Sequence, residues 1–136
     1  MADWKENDKM VDLIKELGSK AIFLEWDVSK TDEGTAMVAQ TIAAFGLLDY
    51  AFNNSGIEDA SASTQDCSEE NLDKTISINL KKKCLCIKYQ IPEIRLQGKR
   101  AIINCASVVG TICFAEILAS VAYKHGIARL TKTTAL

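Results

Sequence analysis

Three short apolar runs alternate with stretches of helical spacing: Ala21-Ile22-Phe23-Leu24, Leu47-Leu48-Asp49-Tyr50-Ala51-Phe52 and Arg100-Ala101-Ile102-Ile103-Asn104-Cys105. Each run is four to six residues long, the length of a buried strand and too short for a helix. Between them, residues 5–17 place Met10, Val11, Ile14 and Leu17 on one face, with Gly18 as a stop. Residues 32–45 repeat the pattern through Met37, Val38, Ile42 and Phe45, and Gly46 ends them. Ser68, Glu69 and Glu70 open a long helix that runs to about Ile94, with Pro92 near its end. A last helix is predicted from about Leu118 to the final residue, and residues 57–67 and 106–116 read as loops. Strands that alternate with helices are joined by crossovers and pair in parallel. The expectation is therefore an α/β fold, with a parallel sheet of about three strands flanked by helices. Ligands of such sheets bind at the carboxyl ends of the strands. Those ends carry Asp27, the Asn53–Gly56 turn and Ala106-Ser107.

Composition excludes several classes. With 48% hydrophobic residues the chain is too apolar for intrinsic disorder. A balance of 16 basic and 18 acidic residues argues against nucleic acid as a partner. No run approaches the roughly 18 apolar residues of a membrane span, and Met1–Glu6 lacks the apolar core of a secretory signal. The five cysteines (67, 84, 86, 105 and 113) have no paired spacing and only one histidine beside them. They read as reduced thiols of a cytoplasmic protein without a metal site. Lys81-Lys82-Lys83 reads as a solvated helix face, and His125 as a helix-surface residue.

Five segments carry a more specific signal: Trp26-Asp27-Val28, Asn53-Asn54-Ser55-Gly56, Ile78-Asn79-Leu80, Asn104-Cys105-Ala106-Ser107 and Lys124-His125-Gly126. Singly each has a plain reading as a cap, a turn or a loop hydroxyl. In this order and spacing they resemble the middle portion of a short-chain dehydrogenase/reductase, a Rossmann-type oxidoreductase family. The resemblance implies NAD or NADP as cofactor and a small alcohol or carbonyl compound as substrate. It implies that Asp27 and Val28 contact the adenine and that Asn54, Ser55 and Gly56 border the cofactor ribose. By the same resemblance, Asn79 holds a proton-relay water and Ser107 orients substrate, while Lys124 binds the nicotinamide ribose. The helices at 68–94 and 118–136 would form a homo-oligomer interface.

Two departures set further expectations. The family's Tyr-x-x-x-Lys places a phenol and an ammonium on one helix face, which lowers the phenol pKa for acid–base work. Here Ser120 stands four residues before Lys124, and 13 after Ser107, while the tyrosine is Tyr123. Three residues along a helix shift a side chain by about 60° and roughly 4.5 Å. Tyr123 also directly precedes Lys124, about 100° around the helix, and is expected not to share a face with it. No G-x-x-x-G-x-G or G-x-G-x-x-G phosphate loop occurs among the seven glycines. Residues 1–136 are thus expected to form one incomplete NAD(P)-binding domain, beginning at the helix after the second strand and lacking the first two and the C-terminal strands. Residues 20–26 would pair directly with 48–52, or each would leave an unpaired edge. Either the chain is an impaired oxidoreductase with poor cofactor binding, or it is a non-catalytic fragment that acts as an interaction or dimerisation module.

Overall fold

The computed structural model describes residues 1–3, 7–26, 31–96, 98 and 101–136. The chain divides into two compact units, Met1–Leu47 and Leu48–Leu136.

In the first unit, β1 (Ala2–Asp3) pairs in parallel with β2 (Leu24–Glu25) across helix α1 (Asp8–Glu16). The ladder is short but bonded beyond both ends: the Met1 amino group donates to Ile22 O at 2.7 Å and Trp26 N–H to Asp3 O at 2.9 Å. Sequence reasoning missed β1, because a dipeptide of Ala and Asp carries no strand signal of its own; its partner selects it. The chain thus starts with a strand before its first helix. The 20–26 segment pairs with Ala2–Asp3. Asn7 caps α1 by accepting from Met10 N–H at 3.2 Å, and Gly18, at φ +81°, closes it in the left-handed region. Helix α2 (Thr31–Phe45) completes the unit, whose buried side chains include Val11, Trp26 and Val38.

The second unit is built on β3 (Tyr50–Asn53) and β4 (Ala101–Asn104), paired in parallel from Tyr50↔Ala101 to Asn53↔Asn104. Their crossover is one helical rod: α3 (Glu69–Ile76), a π-helical segment (Ser77–Lys81) and α4 (Lys82–Arg95). Ser68 caps it by accepting from Asn71 N–H at 3.2 Å, with Glu69 and Glu70 in the first turn, as expected. Helix α5 (Leu118–Thr134) follows β4 after a 3₁₀ turn (Val108–Gly110). The four described strands form two parallel pairs, β1 with β2 and β3 with β4. On β3, Ala51 and Asn53 are buried, whereas Tyr50 and Phe52 are 68% and 66% exposed. Alternate side chains of a strand face opposite ways.

The covered face is partly polar. Asn53 donates through Nδ2 to Gln90 Oε1 (3.0 Å) and Asn104 Oδ1 (2.9 Å), and Gln90 donates back to Asn53 Oδ1 (2.9 Å). Asn104 then donates to Thr131 Oγ1 (3.0 Å), and that hydroxyl donates to Ile127 O (2.8 Å). The chain of amides ties β3, β4, α4 and α5 together with its members paired, the condition under which a buried network specifies a packing. Replacing Gln90 by Leu leaves Asn53 Oδ1 without its donor, so Gln90→Leu is expected to cost roughly 1–3 kcal/mol, measured by urea denaturation.

Candidate functional site

Four of the five sequence motifs lie in the Leu48–Leu136 unit, around the carboxyl ends of β3 and β4. Asn79 lies in the π-helical segment and is 1% exposed. Its Oδ1 accepts from Ile57 N–H at 2.8 Å and its Nδ2 donates to Ile57 O at 2.7 Å, so both peptide groups of the residue after Gly56 are held. The extra residue per turn of a π segment breaks the regular ladder and re-aims its side chains. Gly56 packs closely here: a Cβ would stand 3.1 Å from Asn79 Oδ1. Asn54, Ser55 and Gly56 themselves are exposed at the turn. Asp27 and Val28 lie outside the described residues.

Lys124 donates from Nζ to Ala106 O at 3.2 Å. Its stem passes the 3₁₀ turn at Gly110, where a Cβ would lie 2.9 Å from Lys124 O, a contact only glycine permits. Ser107, exposed beside Ala106, caps that turn by accepting from Val109 N–H at 3.4 Å. Tyr123 is 7% exposed, in line with Ala119 and Ile127 on the buried stripe of α5. Tyr123 and Lys124 stand on adjacent stripes of α5, yet Nζ of Lys124 sits 5.1 Å from the Tyr123 ring centroid. A flexible four-carbon stem reaches back over the ring face, which gives a cation–π contact rather than the ammonium–hydroxyl pairing of Tyr-x-x-x-Lys. Ser120 donates its hydroxyl to Asp59 Oδ1 and its N–H to Asp59 Oδ2, the latter at 3.1 Å.

The lysine run is not a solvated face. Lys81 is exposed, but Lys82 and Lys83 are buried, Lys83 at 5%. Lys83 Nζ donates to Asn53 O (2.9 Å) and Cys105 O (3.4 Å), which places two ammonium groups on the successive carbonyls of Cys105 and Ala106. Burial, and then the charge of Lys124, lower the Lys83 pKa. Helical spacing could have revealed this, since Lys83, Ile87, Gln90 and Ile94 follow i, i+4, i+7 and i+11, and all four are buried. Asp59 was missed as well; the available signal was that Ile117, before α5, has no side chain able to cap. His125 is half-buried, with Nδ1 3.0 Å from Val121 O.

The five cysteines are free, and no group of metal-ligating side chains occurs among the described residues. No described helix is long and apolar enough to cross a membrane.

These motifs agree with known proteins. The chain belongs to the short-chain dehydrogenase/reductase family: a family profile described as enoyl-(acyl carrier protein) reductase matches residues 1–136. The chain is 38% identical over 128 residues to a cyclohexanol dehydrogenase of Acinetobacter sp. strain SE19, which covers 94% of this chain and 51% of that protein. A 3-oxoacyl-[acyl-carrier-protein] reductase of Staphylococcus aureus strain Mu50 is 34% identical, covering 94% of this chain and 52% of its own length. Among solved structures, levodione reductase superposes with a TM-score of 0.92 at 28% identity, over 98% of this chain and 54% of that one. An NAD⁺-bound xylitol dehydrogenase gives 0.90 at 25% identity, over 98% and 52%. The fold is thus a partial Rossmann-like one, and the chain spans about half the length of the relatives it matches.

Burial pushes the Cys86 thiol up to about 11. Unfolded, that thiol ionises near 9.0, whereas the folded one holds its proton until about pH 11. The stability it supports is complete below the lower value and lost as pH rises toward the upper. Lys83 has the opposite sign, because a folded amine that releases its proton early favours folding at higher pH. The difference in unfolding free energy between wild type and Cys86→Ala should therefore shrink by roughly 2–3 kcal/mol from pH 9 to 11, read by urea melts at each pH.

Proposed function

We propose that this chain carries the nicotinamide- and substrate-facing half of an NAD(P)-dependent alcohol/carbonyl oxidoreductase site, with hydride-transfer activity severely reduced. Membership of the family supports the oxidoreductase class. The observation that carries the reduction is the pair of positions 120 and 123: Ser120 donates to Asp59, and Tyr123 is packed in the core of its unit.

The residues at the strand ends fit one half of the implied cofactor. The exposed Asn54-Ser55-Gly56 turn would border a ribose. Lys124 would hold the nicotinamide ribose hydroxyls through its ammonium, exchanging its bond to Ala106 O. Asp27 and Val28 are proposed for the adenine on the resemblance alone. When bound, the nicotinamide supplies hydride transfer to or from a carbonyl carbon.

That transfer also needs a proton donor or acceptor at the substrate oxygen. Ser107 can hydrogen-bond such an oxygen but is a weak acid. Ser120 is an aliphatic alcohol, far less acidic than a phenol and already bonded to a carboxylate. Tyr123 is a phenol, but on the buried stripe. Asn79 holds Ile57 with both ends of its amide and so supports the turn beside the ribose site. Cyclic secondary alcohols are the proposed substrate class, from the likeness to the cyclohexanol dehydrogenase. A homo-oligomer through 68–94 and 118–136, a cytoplasmic location, and the fragment reading stay as proposals on the same resemblance.

Purified chain, supplied with NAD⁺ or NADP⁺ and cyclohexanol, is expected to give no reduced nicotinamide above background at 340 nm. A turnover of about 1 s⁻¹ or more, an ordinary enzyme rate, overturns the proposal of impairment. In the same preparation, Asn79→Ala leaves both peptide groups of Ile57 unpaired and should destabilise by roughly 1–3 kcal/mol, measured by urea denaturation.

A further inference from the structure

The hydroxyl at position 120 already has a task, and Asp59 defines it. Helix α5 begins after Ile117, which offers no side-chain acceptor to the N–H groups of the first turn. A carboxylate 61 residues earlier supplies one: Asp59 Oδ2 takes the Ser120 N–H at 3.1 Å, and Oδ1 takes the Ser120 hydroxyl. Asp59 reaches that place because its loop is pinned on both sides. Ile57 is held by Asn79, Ala60 N–H donates to Asn71 Oδ1 at 3.1 Å, and Ala62 N–H donates to Glu116 O at 2.9 Å. A negative charge at a helix N-terminus is also favoured by the helix dipole.

We propose that Asp59 is a positioning residue that makes Ser120 part of a long-range helix cap, so that Asp59 and Ser120 act as one coupled unit. Its catalytic meaning rests on the reading of position 120 above, whereas the coupling itself rests on the two hydrogen bonds. A carboxylate beside position 120 disfavours a second negative charge there. It would hold the pKa of a phenol placed at 120 high, the reverse of what Lys124 does. The step from this chain to a working phenol is therefore two substitutions, not one.

The test places a phenol at 120 and reads its titration. With ¹³Cζ-labelled tyrosine, Ser120→Tyr adds one resonance to those of Tyr50, Tyr89 and Tyr123. Its midpoint is expected to fall by roughly one pH unit or more when Asp59→Asn is added. Equal midpoints with and without Asp59 overturn the proposal. Should Ser120→Tyr fail to fold, thermal melts of the smaller variants decide instead. Asp59→Ala is expected to lower Tm by about 4–8 °C, with Asp59→Asn in between. Ser120→Ala is expected to lower Tm in the parent and to add nothing in the Asp59→Ala background. Additive losses overturn the coupling. Turnover by the wild-type chain would refute the proposed impairment and leave these readouts standing.

Discussion

Beyond the last rung of the β3–β4 ladder, where Cys105 N–H donates to Asn53 O at 3.0 Å, the carbonyls of Cys105 and Ala106 must find donors, and two lysines meet that need in the Leu48–Leu136 unit. Lys83 from α4 bonds Asn53 O and Cys105 O, and Lys124 from α5 bonds Ala106 O. An unpaired buried carbonyl and an unpaired buried ammonium are each costly, so the two problems resolve each other. The arrangement buries one ammonium and sets a second against it, and the Lys83 pKa is lowered by that burial first and by the charge of Lys124 after it. Where the helices meet the strand ends is thereby fixed by charge-assisted bonds, and behind them by the amide chain from Gln90 through Asn53 and Asn104 to Thr131. Both layers of polar contact converge on Asn53, whose backbone serves one and whose side chain serves the other.

From those ends the chain leaves into a loop that borrows its order from helices. Residues 57–62 form no regular structure of their own. Their backbone or side-chain groups are taken up in turn by Asn79, Ser120, Asn71 and Glu116. A loop held at four successive points by three separate segments is stiff for a physical reason, since each bond restrains dihedrals whose freedom would otherwise oppose folding. The π segment contributes by presenting the Asn79 amide to Ile57 on both its donor and acceptor sides.

What the sequence disclosed follows from the range of the interactions concerned. Ser68 with Glu69 and Glu70 announced a helix start because a cap acts within one turn. The runs at 47–52 and 100–105 announced strands, and β3 and β4 lie within them. By contrast, β1 owes its existence to a partner some twenty residues on, which local composition cannot carry. The reach of Asp59 to Ser120 is the same case over a longer span. Lys83 was different, because its burial was legible in the 83–87–90–94 spacing and was overridden by the habit of treating consecutive lysines as solvent-facing. Five ordered motifs disclosed the family, and four of them lie in the Leu48–Leu136 unit, at strand ends and on helix faces.

Helical period also explains what a tyrosine at 123 can and cannot do. Position 123 lies four after Ala119 and four before Ile127, and that stripe is buried throughout. A side chain there packs as a hydrophobic body whatever its polar tip, and the Lys124 ammonium meets the face of its ring. Positions 120 and 124 form the adjacent stripe, which faces Asp59 and the end of β4. Moving a phenol by three residues therefore carries it from the stripe that addresses the strand ends to the stripe that addresses the core. Position 120 carries a small alcohol that bonds a carboxylate through both its hydroxyl and its backbone. The packed tyrosine and the bonded serine are both contacts that hold α5 in place.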